Sequence, residues 1–222
     1  MIFASPIALL LAYSALLYRY TRSGVIWRIP GFFAYLIAFL VSLIAHGAAL
    51  AMPPGLGYLP YLEPVLISLK VIAWLEAFTM ATVDLAPLER RLFLALLATV
   101  SLIAIVIVAG SQPDLYRAVR AYANTALAAA SLAGVGWLWI APIDIRPDVR
   151  NHCLILTVYF CNLAVAGFMP ASTRAAWITV NALSSAISLL CCWEWWAYGV
   201  NRSLVLRTSS ISASRLSRTA SR

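Results

Sequence analysis

Apolar stretches of about 18 or more residues recur along the whole chain, and few folds can absorb them. A water-soluble fold of 222 residues would lack the polar surface to cover itself, because 63% of the residues are hydrophobic and 11% charged. Soluble domains average about 45–50% and 25%. A helix closes its backbone hydrogen bonds internally, so stretches of this length can cross the ~30 Å hydrocarbon layer. The expected fold is an all-α polytopic membrane protein, a bundle of about seven transmembrane helices. The spans fall near 2–17, 28–52, 58–83 and 92–109, a fifth ends near 140, and the last two fall near 153–169 and 175–200.

The punctuation between spans fits this division. Pro30 opens the second span, where a missing N–H costs nothing. Pro53, Pro54 and Gly55 stop that span, and Pro170 stops the sixth. Asp84, Pro87, Glu89, Arg90 and Arg91 read as a short polar turn, and Pro142 and Pro147 bracket another. Ser111 ahead of Asp114 reads as a helix cap. Basic residues follow the first span (Arg19, Arg22) instead of preceding it, the reverse of a cleavable leader, so it reads as an uncleaved anchor. Residues 1–200 form one membrane domain and 201–222 a basic, Ser- and Arg-rich tail.

The net charge of +8 is distributed by side. Twelve arginines (19, 22, 28, 90, 91, 146, 150, 202, 207, 215, 218 and 222) fall in the first, third and fifth loops and the tail, and three (117, 120 and 174) fall opposite. The positive-inside rule then places the N-terminus outside and the C-terminus in the cytoplasm. With the charge explained this way, the expected partners are membrane lipids and other membrane subunits, not nucleic acid. Arg207, Arg215, Arg218 and Arg222 are spaced to meet an acidic headgroup layer or a partner. Cys153, Cys161, Cys191 and Cys192 all lie in apolar runs and read as small buried residues.

Ionisable groups inside a bilayer are costly, so each one asks for a reason. Lys70, the only lysine, sits in the middle of the third span. Glu63 lies seven residues before it on the same face, a rise of about 10.5 Å, and Glu76 follows, rotated off that face. Either an ion pair between Glu63 and Lys70 fixes the packing, or the third span carries a ligand, ion or proton site. Glu194 sits at a depth similar to Glu76, among the tryptophans of an aromatic belt. It either shares a proton or cation with Glu76 or reaches the interface. Asn124, Asn162 and Asn181 suit hydrogen bonds between helices. Ala126, Ala130 and Gly134 form a small-residue row that faces another helix of this chain or of a second subunit.

His46 lies near the outer end of the second span, where it can join Glu63 in a polar cluster, and His152 near the inner start of the sixth. A haem held by both would need them at one depth, whereas about 30 Å separates the two faces. The last span has no lysine, unlike that of a retinal protein, and the chain lacks GxxxxGK[ST], HExxH and GxSxG patterns. No cofactor, metal or enzymatic activity is expected.

The Tyr58, Tyr61 and Glu63 stretch, Trp74 with Glu76, and Arg150-Asn151-His152 at the opening of the sixth span resemble a family of uncharacterised bacterial seven-helix membrane proteins. The resemblance implies a fold, a place in the bacterial cytoplasmic (inner) membrane, and no activity. Three functions compete. The first is a non-catalytic structural or accessory subunit of a larger membrane complex. The second is a seven-helix sensor or receptor with an outward polar pocket, which lacks a soluble output domain. The third is a small transporter, which lacks internal repeats.

Overall fold

The computed structural model describes residues 4–51, 59–83, 85, 87–108, 115–140, 145–168 and 174–198. Over these residues the chain is all-helical. Its helices are α1 (Ala4–Ser23), α2 (Pro30–Ala51), α3 (Leu59–Ala81), α4 (Pro87–Val108), α5 (Leu115–Ile140), α6 (Pro147–Phe168) and α7 (Arg174–Tyr198). Between α1 and α2, Gly24 turns the chain with φ 69°, in the left-handed region that glycine enters without a Cβ clash, and a 3-10 turn follows over Val25–Trp27.

Two expected turns are corrected. Glu89, Arg90 and Arg91 belong to the start of α4, which opens at Pro87, not near 92. Likewise α6 opens at Pro147, not near 153, so Arg150, Asn151 and His152 are helical. Both helices begin as α2 does, with proline at the first position, where its fixed φ suits the helix and its missing N–H loses no bond. Hydropathy marks where a helix turns apolar, which here lies a turn or more after the helix begins. At its other end α1 runs past 17 to Ser23, with Arg22 in its last turn.

Contacts between helices fix their directions. Along α3 and α5 the partners climb together: Glu63 with Arg120, Lys70 with Asn124, Trp74 with Ser131, and Phe78 beside Gly134. These two helices are therefore parallel. So are α2 and α6, joined at Phe32–His152 and Tyr35–Tyr159, and α1 and α7, joined at Tyr13–Ser188 and Arg19–Trp196. Consecutive helices oppose each other: α1 meets α2 at Tyr13–Phe39 and Tyr20–Phe32, and α6 meets α7 at Ile155–Cys191 and Asn162–Ser184. The result is an up-and-down bundle. The chain closes a ring through α1, α2, α3, α6 and α7, while α5 packs on α3 and α6, and α4 packs chiefly on α5.

The core is a seam of large rings. Tyr13, Tyr20, Phe32, Tyr35, Tyr159, Phe160 and Trp195 are all fully buried. On α1 the buried set Leu9, Tyr13, Leu16 and Tyr20 recurs at helical spacing, so one stripe of the helix faces inward. The opposite faces are apolar too, with Leu11, Leu183, Leu190 and Trp139 each more than half exposed. Three of the described helices, over Glu63–Ala81, Val119–Ile140 and Pro147–Gly167, are long and apolar enough to cross a membrane, and Pro30–Ala45 is a shorter apolar helix.

The small-residue row on α5 turns inward. Ala126, Ala130 and Gly134 are buried, and a Cβ on Gly134 would collide with the Phe78 ring of α3. This row therefore serves contact within the chain. Gly134→Ala should destabilise the protein by about 1–3 kcal/mol through overpacking. Gly136→Ala, where a Cβ meets nothing within 4 Å, should leave stability unchanged or slightly raised. Thermal unfolding in detergent checks the pair, and equal effects at the two positions would contradict the close approach.

Candidate functional site

Two charged residues of α3, Glu63 and Lys70, face α5. Lys70 is 5% exposed, and its ammonium donates to the Asn124 side-chain carbonyl at 3.0 Å. Glu63 is 6% exposed, and its Oε1 lies 3.5 Å from Arg120 Nε. That contact is an ion pair without hydrogen-bond geometry, and Oε1 accepts no hydrogen bond. Of the two alternatives for α3, a direct Glu63–Lys70 bridge is not formed: among the described residues each charge finds its closest partner on the parallel helix. Their seven-residue separation sets them about 10.5 Å apart along the axis, whereas α5 offers Arg120 and Asn124 at the matching levels.

Nearby is a second polar group that sequence reasoning missed. The hydroxyls of Tyr35 on α2 and Tyr159 on α6 hydrogen-bond each other, and Tyr13 of α1 donates to the Ser188 carbonyl of α7 at 3.5 Å. All three rings are buried, where a phenol needs a partner. The signal was available: Tyr13 lies on the same stripe of α1 as the buried Leu9, Leu16 and Tyr20. Asn162 fastens α6 to α7 by donating to the Ser184 carbonyl at 3.1 Å and to Ser188 Oγ at 3.3 Å.

Glu76 has a structural task. Its two carboxylate oxygens accept from the backbone N–H groups of Gly31, at 3.1 Å, and Phe32, at 2.9 Å. These are among the first amides of α2, which have no partner inside their own helix. A carboxylate there also meets the positive end of the helix dipole. The spacing needs glycine: a Cβ on Gly31 would stand 2.7 Å from Ile72 Cγ2 and 3.3 Å from Glu76 Oε2. Glu76 is therefore a cap supplied by the adjacent helix.

The remaining candidates do not join this site. Glu194 is exposed and lines a shallow groove with Asn151, Leu154 and Ile155, while Glu76 is turned to α2. Asn181 is exposed on α7. His46 belongs to α2, but its side chain lies outside the described residues, as do Arg207, Arg215, Arg218 and Arg222. The four thiols are free; Cys153 is buried with Sγ 3.6 Å from the Ala77 carbonyl, and Cys161 lines an apolar groove of about 360 Å³ between α6 and α7. Among the described residues no three His, Cys, Asp or Glu side chains converge as metal ligands would. No family model, no curated protein and no solved structure matches the chain.

Proposed function

We propose that this chain is an integral membrane protein of the bacterial cytoplasmic membrane. In this reading each of the seven helices crosses the bilayer, with the N-terminus outside and the C-terminus in the cytoplasm. It acts as a non-catalytic structural or accessory subunit of a larger membrane assembly, and it groups with the uncharacterised seven-helix proteins that it resembles. The alternation of helix directions supports the topology, since each short connection then reverses the chain across the layer. Apolar outer faces such as those at Leu11, Leu183 and Leu190 suit contact with acyl chains or with neighbouring spans.

One observation carries the non-catalytic reading: six polar side chains of the bundle join helices in pairs. Lys70 and Trp74 tie α3 to α5, Glu76 ties it to α2, Tyr35 links α2 to α6, Tyr13 links α1 to α7, and Asn162 links α6 to α7. Hydrogen bonds between membrane helices contribute about 0.6 kcal/mol each on average, enough in sum to fix a packing arrangement. In the proposed assembly the tail arginines, 207, 215, 218 and 222, meet anionic headgroups or an acidic partner surface. Glu63 favours a second reading, a sensor with an outward polar pocket, because a buried carboxylate oxygen without a hydrogen bond faces the half-exposed Arg120.

Gentle extraction separates the readings. The full-length chain taken from its membrane in mild detergent should appear by native mass spectrometry bound to other protein subunits. A lone chain that carries solute flux in liposomes would contradict this and favour a transporter. A lone chain without flux, but with a ligand-dependent rise in melting temperature, would favour the sensor.

A further inference from the structure

Two buried polar atoms on neighbouring rings have no hydrogen-bond partner. His152 on α6 is 6% exposed and Trp195 on α7 is fully buried. Neither His152 Nε2 nor Trp195 Nε1 makes a hydrogen bond. The two rings lie 6.2 Å apart, centre to centre, and both pack edge-on against Phe32 of α2, at 5.0 and 4.7 Å. Tyr159 closes on Trp195 from a third side at 5.8 Å. Buried polar groups in folded proteins nearly all find a partner, either protein or ordered water.

We propose that His152 and Trp195 form a binding site for a single water molecule that bridges α6 and α7 over the first turn of α2. The chemistry selects the ligand. An indole N–H only donates, whereas a neutral imidazole nitrogen donates or accepts. A water oxygen accepts from Trp195 and has both a proton and a lone pair left for His152. With the ring centres 6.2 Å apart, one oxygen with bonds of about 3 Å has room to lie between the two rings. Phe32 of α2 and Tyr159 of α6 pack against the pair, which favours a small occupant, and buried waters commonly make two to four such bonds. The site lies where α6 begins and α7 ends, near an end of the bundle.

The test uses the full-length protein in lipid bilayers, labelled with nitrogen-15, and follows magnetisation passing from water protons to indole N–H groups by solid-state NMR. Glu194–Trp195 is the only Glu-Trp step in the chain, which permits assignment by pairwise labelling. Trp74 is the internal reference, because it is also buried and its N–H donates to Ser131 Oγ at 2.9 Å. Transfer to the Trp195 indole should be severalfold faster than to that of Trp74. His152→Phe removes one anchor and fills its space, so transfer to Trp195 should fall to the Trp74 level. Equal rates in the unsubstituted protein, or a direct N–H···N bond between the two rings, would overturn the proposal. So would undiminished transfer in His152→Phe.

Discussion

Asn124→Leu should lower the unfolding free energy in a bilayer by about 3 kcal/mol, far more than the loss of an ordinary interhelical hydrogen bond. The reason lies in what the substitution leaves behind. Lys70 is almost wholly buried, and its described hydrogen bond is to Asn124 Oδ1. Without that oxygen an ammonium remains inside the bundle, and a lysine at the centre of a span costs about 2.5–3.5 kcal/mol on insertion scales. Lys70→Met removes the charge and leaves a neutral amide unmatched, at about 1 kcal/mol. The double variant replaces both partners with apolar groups and should recover most of the loss. Unfolding of the two single variants and the double variant in bicelles checks this, and costs that simply add would contradict the pairing.

Glu76→Leu should cost about 2–3 kcal/mol, since two charge-assisted bonds to the start of α2 are lost together. The same change withdraws the negative charge from the positive end of the helix. Glu76→Gln keeps one acceptor oxygen and should lose about half as much. The damage should be local as well as global: hydrogen exchange at the Gly31 and Phe32 amides should accelerate ahead of that in the centre of α2. Unchanged exchange at those two amides in Glu76→Leu would show that the carboxylate does not cap them.

The sequence makes it plain that Lys70 needs an acceptor, because an unpaired ammonium inside a span is costly. It does not single out Asn124, which lies 54 residues away. Glu63 is the nearer choice along the chain, and only the parallel course of α3 and α5 sets the amide at the right level. Glu76 illustrates the same gap, because its partners are backbone amides, which leave no mark in a side-chain pattern. The starts of α4 and α6 were obscured by charge: Glu89, Arg90 and Arg91 look like a loop, although Pro87 ahead of them is a proper first helical residue. Legible throughout were the apolar runs and the turns between them. Those depend on local periodicity, whereas pair identities depend on how distant helices come to lie together.

The membrane topology is tested most directly by accessibility labelling in intact cells. Single cysteines are placed at Ser209 in the tail (Ser209→Cys) and at Ala171 between α6 and α7 (Ala171→Cys), with the unsubstituted chain giving the background of the native thiols. A membrane-impermeant maleimide should modify position 171 from outside and reach position 209 only after the cells are permeabilised. Labelling of position 209 from outside, or of both positions from the same side, would contradict the seven-span arrangement.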